Sequence, residues 1–391
     1  MKVLSSKACR FRGWSDFAKP FVARVSASAD LPASVARQSV LLANHVNDVN
    51  ADTASKFLGV VVRALGDGEG SLSVVELEPA MAHVSVGDVL RIDPAGNRVR
   101  VLFRKNAIHN SLLVTERCNS FCLMCSQPPR KIDDSHLIEE IKRTIELVPR
   151  DAEMLGLSGG EPTLCGDGFF DIVRHARNYL PYTELHVLTN GRTFKDREAA
   201  KHLAGIQHPD LKLGIPLYSE QPDQHDFVVQ AKGAFDETIK GLLNLASFGI
   251  RIELRVVLHR FTYERLPELA RFIGRNLPFV DYVALMGLEL TGFAKVNRRS
   301  IWVDPYDYRE ELAEAVRVLE FHGVPALIFN HQLCVVPEAV RSRCVQSISD
   351  WKNDYLPICD SCKMRSKCGG FFDSGVGLDQ HSDHIHPLEI D

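Results

Sequence analysis

The sequence predicts an α/β protein: a partial (β/α)6 barrel, with a small β-rich domain before it and a cysteine-bearing extension after it. Three observations carry that prediction. From about residue 111, short apolar segments alternate with stretches of helical period, the pattern of parallel strands with helices outside. Six such segments begin roughly 27 to 42 residues apart, the size of one strand–helix unit. Residues 1–106, by contrast, read as short strands and turns. The expected divisions are 1–106, the barrel at 107–325, a cysteine segment at 326–376 and a tail at 377–391.

In the first domain FLGVVVRAL, SLSVVELEP, DVLRI and NRVRVLF are short and rich in β-branched residues. The turn signals GDGEG, VGD and DPAGN separate them, as a meander or small barrel requires. Val99, Val101 and Phe103 alternate with Arg98 and Arg100, which predicts one buried face and one wet face. The first thirty residues read as loose. The barrel strands are SLLVT (111–115), EMLGLS (153–158), ELHVLT (184–189), LKLGIPL (211–217), RIELRVVL (251–258) and DYVALMG (281–287). Helical period follows them, as in FDETIKGLLNLASFG, where Phe235, Ile239, Leu242, Leu243 and Ala246 share a face. Six strands suggest a barrel open on one side. A helix near 305–322 and the strand-like VPALIF come next, then an irregular segment. The end, DQHSDHIHPLEID, is polar and reads as a frayed, His-containing tail.

Lys and Arg number 46 against 50 Asp and Glu, a net charge of -4 in 391 residues. That balance excludes a disordered or fibrous chain and leaves no electrostatic footprint for nucleic acid. No apolar run approaches the roughly 18 residues of a membrane span, and the N-terminus lacks a signal-type core. The expectation is a cytoplasmic protein with no membrane partner.

Ten cysteines call for a reason, because disulfides do not persist in the cytoplasm. Cys118, Cys122 and Cys125 follow the first barrel strand, on the rim where barrels build active sites. Zinc would want four ligands, and no fourth Cys or His is near; three thiolates suit a cubane iron–sulfur cluster with one iron left open. Cys359, Cys362 and Cys368 form a second group after the barrel. Cys165 follows GGEPTL and reads as a buried small hydrophobe or a thiol at the mouth. His331 is a candidate to tune the second group.

CNSFCLMC resembles the CxxxCxxC signature of radical S-adenosylmethionine (radical SAM) enzymes. The resemblance implies a [4Fe–4S] cluster on Cys118, Cys122 and Cys125, whose open iron chelates S-adenosylmethionine (SAM). Reductive cleavage then yields a 5′-deoxyadenosyl radical that abstracts a substrate hydrogen. LSGGEP is similar to the family's GGE motif: Gly159 and Gly160 would let the backbone approach the ligand, and Glu161 would accept from the SAM ammonium. TNG resembles a recurring turn, with Asn190 meeting the methionyl or ribose end. Ser219 and Arg255 resemble the pair that holds the methionine carboxylate, work that suits Arg's bidentate fork. Met286 and Gly287 would line the adenine pocket.

The CxxCxxxxxC spacing of Cys359, Cys362 and Cys368 resembles the auxiliary-cluster region of SPASM and twitch domains. Phe371 and Phe372 stand where a full SPASM pattern has a further cysteine, so one auxiliary [4Fe–4S] cluster is implied rather than two. Cys334 or Cys344 would complete it, Cys334 preferred for its strand-end position; structural zinc is the alternative. NSLLVTERCNSFCLMCSQPPR, SISDWKNDY and CGGFF resemble the radical SAM maturases of the His-Xaa-Ser system, over roughly residues 107–375. That resemblance implies a peptide or small protein substrate with His-Xaa-Ser repeats and a second radical SAM maturase as partner. It also implies an electron donor such as flavodoxin or ferredoxin. The alternatives are a radical SAM enzyme of cofactor or modified-base biosynthesis, and a non-catalytic Fe–S or zinc protein.

Overall fold

A computed structural model of the chain describes residues 4–14, 19–28, 30–66, 72–346 and 353–389. Most of the GDGEG turn, and residues 347–352 of SISDWKNDY, lie outside the described residues. Contacts divide the chain into two units. One comprises Met1–Leu112, His136–Leu155 and His175–Thr183; the other comprises Leu113–Ser135, Gly156–Arg174 and Glu184–Asp391.

The first unit holds β1 (Ser5–Ser6), β2 (Arg10–Arg12), β3 (Phe21–Ser26), β4 (Ser39–His45), β5 (Gly59–Ala64), β6 (Val74–Glu76), β7 (Val89–Asp93) and β8 (Arg98–Phe103). They form one sheet in the order β1-β8-β7-β3-β4-β5-β6-β2. The expected meander describes only the β7–β8 hairpin across DPAGN. β3, β4, β5 and β6 instead run parallel, and the links from β3 to β4 and from β4 to β5 carry the short helices that parallel crossovers need. Val60, Val62 and Val74 pack on one face and Val61 and Val75 on the other, all fully buried. The expected wet face of β8 is half-buried at Arg98 and Arg100. Helix His136–Leu147 sets Glu140 between Arg91 of β7 (2.8 Å) and Arg100 of β8 (3.2 Å).

The second sheet holds β9 (Ser111–Thr115), β10 (Met154–Gly159), β11 (Glu184–Leu188), β12 (Leu211–Pro216), β13 (Arg251–Val257), β14 (Tyr282–Met286), β15 (Ala326–Phe329) and β16 (Cys344–Val345). Its order, β16-β15-β14-β13-β12-β11-β10-β9, follows the chain without exchange, and the pairings from β11 to β16 are parallel. Each expected barrel strand lies within one residue of its observed bounds. VPALIF adds a seventh strand and Cys344–Val345 an eighth. An α/β sheet of parallel strands, open between β9 and β16, is therefore the fold.

Strand alternation sorts its two faces. Leu185, Val187, Leu213, Ile215, Ile252, Leu254, Val256, Val283 and Leu285 are all at most 5% exposed and make the apolar face. His186, Lys212, Glu253, Arg255 and Tyr282 occupy the other face. Helix Ala234–Ser247 buries Phe235, Thr238, Gly241, Leu242 and Leu245, while Leu243 is 49% exposed. The buried stripe is thus turned away from the expected one. The cause is Gly241: a Cβ there would lie 2.3 Å from the Gly191 carbonyl, so the helix approaches the TNG turn through its bare face. No helix among the described residues is long and apolar enough to cross a membrane.

Candidate functional site

The loop after β9 is pinned along its length. Phe121 N–H and Leu123 N–H donate to the carbonyls of Val229 and Val228, each at 3.0 Å. Phe293 N–H donates to the Cys125 carbonyl at 2.8 Å, and Asn297 Nδ2 to the Leu123 carbonyl at 2.8 Å. Met124 packs with Tyr218, Val228, Ala294 and Ile301. Gly292, at φ +51°, allows the close approach, because a Cβ there would lie 2.5 Å from the carbonyls of both Cys125 and Ser126. All ten cysteines are free. Burial pushes the Cys118 thiol up to about 11, and the Glu161 and Cys125 charges push the same way. Burial, then Cys125 and Cys118, push Cys122 up to about 12. The three thiols therefore share one site. Among the described residues no three His, Cys, Asp or Glu converge on a point as ligands of a single ion would. Thiolates that each hold a different iron of a cluster do not have to.

Glu161 is fully buried, and its carboxylate is engaged by the protein itself. Oε1 accepts from Thr163 N–H (3.1 Å), Thr163 Oγ1 (2.6 Å) and Thr189 Oγ1 (2.6 Å). Oε2 accepts from Asn190 N–H at 2.6 Å. Asn190 Nδ2 then donates to Asn119 Oδ1 at 2.6 Å, beside Cys118. One carboxylate thus joins the ends of β10 and β11 to the cysteine loop. The two glycines before it serve the same joint. Cβ atoms at Gly159 and Gly160 would lie 2.3 Å from the Thr115 carbonyl and 2.1 Å from the Arg117 carbonyl. Gly160 N–H and Glu161 N–H donate to those carbonyls, both at 2.7 Å. What these glycines let close is the chain leaving β9, where sequence reasoning expected a ligand.

Arg192 was not singled out by sequence, yet it braces the same loop. Its Nη1 donates to the Asn119 carbonyl (2.7 Å) and Ser120 Oγ (3.1 Å), while Nε donates to Glu237 at 2.7 Å. The TNGR run directly after β11, with Arg192 four residues past Leu188, was the available signal. Arg255 donates from Nη1 to Glu253 Oε1 at 2.8 Å. Glu253 is 2% exposed and also meets His186 Nε2 (2.9 Å) and the Tyr282 hydroxyl (2.8 Å). Burial pushes its carboxyl up, but His186, Arg255 and Tyr282 outweigh it and leave the value at about 2. These partners come from three strands, which no local pattern announces. Ser219 is buried and bonds Gln221 N–H (3.1 Å) and Glu220 (3.3 Å), not Arg255. Met286 ends β14, beside Val257 and Phe329. Cys165 lies 3.8 Å from Arg117 Nη2.

Cys334, Cys359, Cys362 and Cys368 line one pocket of about 320 Å³. Cys344 is not on its wall, although its thiol, pushed up to about 12 by burial, also feels Cys368. Leu333 N–H points at Cys368 Sγ (3.4 Å) and Leu388 N–H at Cys362 Sγ (3.3 Å). His331 faces elsewhere, between the Tyr308 hydroxyl and the Phe329 carbonyl, each at 2.9 Å. The tail, read from sequence as frayed, supplies Ile385, His386 and Leu388 to the pocket wall. Ser382 is 1% exposed and the His384 ring stacks on Tyr306 at 3.7 Å. Its polar composition hid these few anchoring contacts.

Residues 112–273 match the family model of the Radical SAM superfamily. A protein named Probable GTP 3′,8-cyclase, from Methanocella arvoryzae, is 27% identical over 161 residues, 41% of this chain and 47% of that one. The Fe-coproporphyrin III synthase of Methanosarcina barkeri is 29% identical over 221 residues, 56% of this chain and 53% of that one. The chain thus spans about half the length of these curated relatives. Streptococcus suis SuiB bound to S-adenosylmethionine aligns with 58% of this chain and 51% of its own, at 17% identity and a TM-score of 0.46.

Proposed function

We propose that the chain, whose residues 112–273 match the family model of the Radical SAM superfamily, is a radical SAM maturase that modifies a ribosomally made peptide or small protein. Cys118, Cys122 and Cys125 hold its [4Fe–4S] cluster. The observation that carries this reading is the chain of bonds from Glu161 through Asn190 to Asn119. It assembles three strand ends around the three thiols from protein atoms alone. When bound, the cluster and SAM supply a 5′-deoxyadenosyl radical able to abstract a substrate hydrogen.

The chain's own residues do the positioning. Arg192 and Asn190 fix the loop, and Arg192 sets a positive charge near Cys122. Arg255 offers its fork to the methionine carboxylate, aimed by Glu253 from below. Ser219 and Met286 complete the SAM site along the rim, while Gly159, Gly160 and Glu161 hold together the strand ends that carry it. Cys334, Cys359, Cys362 and Cys368 hold a second [4Fe–4S] cluster; four thiols around one pocket support it. A cytoplasmic setting, a flavodoxin or ferredoxin donor, a His-Xaa-Ser repeat substrate and a second maturase belong to this reading.

A second reading, action on a small molecule, is favoured by the names of the curated relatives, a GTP cyclase and a porphyrin synthase. Anaerobic reconstitution with iron and sulfide, then dithionite and SAM, tests the class. The expected result is 5′-deoxyadenosine by mass spectrometry with about eight irons per chain. Zinc without product would refute it. A copurifying His- and Ser-rich peptide favours the maturase; consumption of GTP favours the small molecule.

A further inference from the structure

We propose that the surface formed by residues 227–232 and 295–299, on the outer side of the elements that clasp the first cysteine loop, is the docking face for an acidic one-electron carrier protein. This rests on the maturase reading, which needs one electron at the cluster of Cys118, Cys122 and Cys125, and it specifies where that electron enters. The reduced carrier loses one electron and the cluster gains it; no atom or proton passes between the proteins. Position is the first observation. Val228 and Val229 hold the loop through their carbonyls on one side, and Phe293 and Asn297 hold it on the other. Cys122 and Leu123 pack against a buried layer that includes Val228, Ala294 and Ile301. In the short helices Gly292–Val296 and Arg298–Ile301, Ala294 and Ile301 therefore face inward, while Lys295, Val296 and Arg299 are exposed. The two stretches meet at the surface. The Phe227 ring meets Phe261 edge-on at 5.2 Å, and Arg260 N–H donates to the Ile301 carbonyl at 2.8 Å. A single layer of side chains thus lies between this surface and Cys122.

The charge of this surface selects the partner. Residues 290–303 hold Lys295, Arg298 and Arg299 and no carboxylate, in a chain whose net charge is -4. Lys232 adds a fourth cation. None of the four has an ion pair among the described residues, whereas Arg192 and Arg255 are each tied to a glutamate. On helix Pro222–Val229, Asp226 is spent on Phe235 N–H (2.8 Å) and Gly233 N–H, which leaves Asp223 as the exposed carboxylate of that helix. Apolar groups stand among the cations: Val296 is 76% exposed and Phe227 46%. Cations around an apolar centre fit a protein that carries carboxylates around an exposed redox group. Opposite charges steer the encounter, and apolar contact seats it. Flavodoxins and ferredoxins, which are acidic, belong to that class. A single-stranded nucleic acid would call for aromatic faces on which bases stack; Val296 is aliphatic, and Phe227 is engaged with Phe261.

The test uses the full chain, reconstituted anaerobically and loaded with SAM, with flavodoxin as the probe. Binding is measured by surface plasmon resonance, and reduction of the cluster by stopped-flow absorbance with reduced flavodoxin. Lys295→Glu with Arg299→Glu lowers the association and reduction rates roughly tenfold at about 50 mM salt, and the loss shrinks at about 500 mM. Lys232→Glu with Arg298→Glu gives a loss of the same order and decides the matter if the first pair fails to fold. Lys295→Gln with Arg299→Gln falls between. Excess dithionite, which needs no docking, yields as much 5′-deoxyadenosine in each variant as in the parent. The basic carrier cytochrome c does not compete with flavodoxin. A flavodoxin rate blind to both pairs, or a loss that salt leaves unchanged, overturns the proposal. So does a single-stranded DNA oligomer that binds more tightly than flavodoxin and loses that binding in the same variants. No 5′-deoxyadenosine from the parent with dithionite sinks the enzyme class and the proposal with it; product with dithionite beside a charge-blind flavodoxin rate sinks the proposal alone.

Discussion

Cys118, Cys122 and Cys125 sit on a loop whose neighbours are the ends of regular elements, tied together by a buried carboxylate and an arginine. Cys334, Cys359, Cys362 and Cys368 are gathered by single 3-10 turns and by residues 385–388 of the tail. The first site is tied by bonds between protein groups on several elements. The second is tied by Leu333 N–H and Leu388 N–H at Cys368 and Cys362 sulfur, and by Gln346 and Tyr355 on the Cys368 carbonyl. The comparison teaches that thiol count says little about how a site is held; the elements behind the thiols decide it.

The strongest test of that contrast is to remove the first set of thiols. The Cys118→Ala, Cys122→Ala, Cys125→Ala variant should form no 5′-deoxyadenosine yet keep about half its iron. Full product would break the assignment. Leu388→Pro removes the N–H that points at Cys362, and truncation after Asp383 removes that stretch of wall. Both should lower iron at the second site while SAM binding stays as it was. Equal loss at both sites would show that the two are not independent.

Smaller effects probe the first site's frame. Gly160→Ala forces the backbone away from the Arg117 carbonyl and should cost roughly 3 kcal/mol, read as a drop in Tm. An unchanged Tm would mean the joint is looser than its distances. Glu161→Gln leaves donors facing an amide and should cost about 1–3 kcal/mol without SAM present. If stability holds and only SAM affinity falls, the carboxylate is a ligand and not a joint.

The gentlest probe is acid. Burial lowers His259 from 6.5 to about 3 and His225 from 6.5 to about 4. Both folded values lie below the unfolded one, so their contribution is whole above pH 6.5. It is lost as pH falls toward 4 and then 3. Each fully engaged group adds a slope of about 1.4 kcal/mol per pH unit. His259→Phe should flatten the Tm profile below pH 6.5; an identical profile would show that this histidine takes up its proton alike in the folded and unfolded states.

The sequence made the frame of the first site legible and its fastenings illegible. The six barrel strands were readable because apolar runs followed by helical period are local signals. The parallel β3–β6 run was not, since crossover direction depends on distant pairing. Gly159 and Gly160 advertised close approach, but only coordinates identify the chain at Thr115–Arg117 as what approaches. Arg192 and Glu253 act through partners on other strands, so spacing could not reveal them. Cys334, more than 20 residues from Cys359, was a choice between two candidates; the pocket has Cys334 on its wall and leaves Cys344 off it.

The wall contributed by Ile385, His386 and Leu388 bears on the order of events at the ribosome. Every residue of the first cysteine loop and of its network up to Arg255 has been synthesised well before residue 385 is added. All four thiols of the second pocket precede residue 385, so its last stretch of wall is made only after every cysteine of both groups is already in the chain.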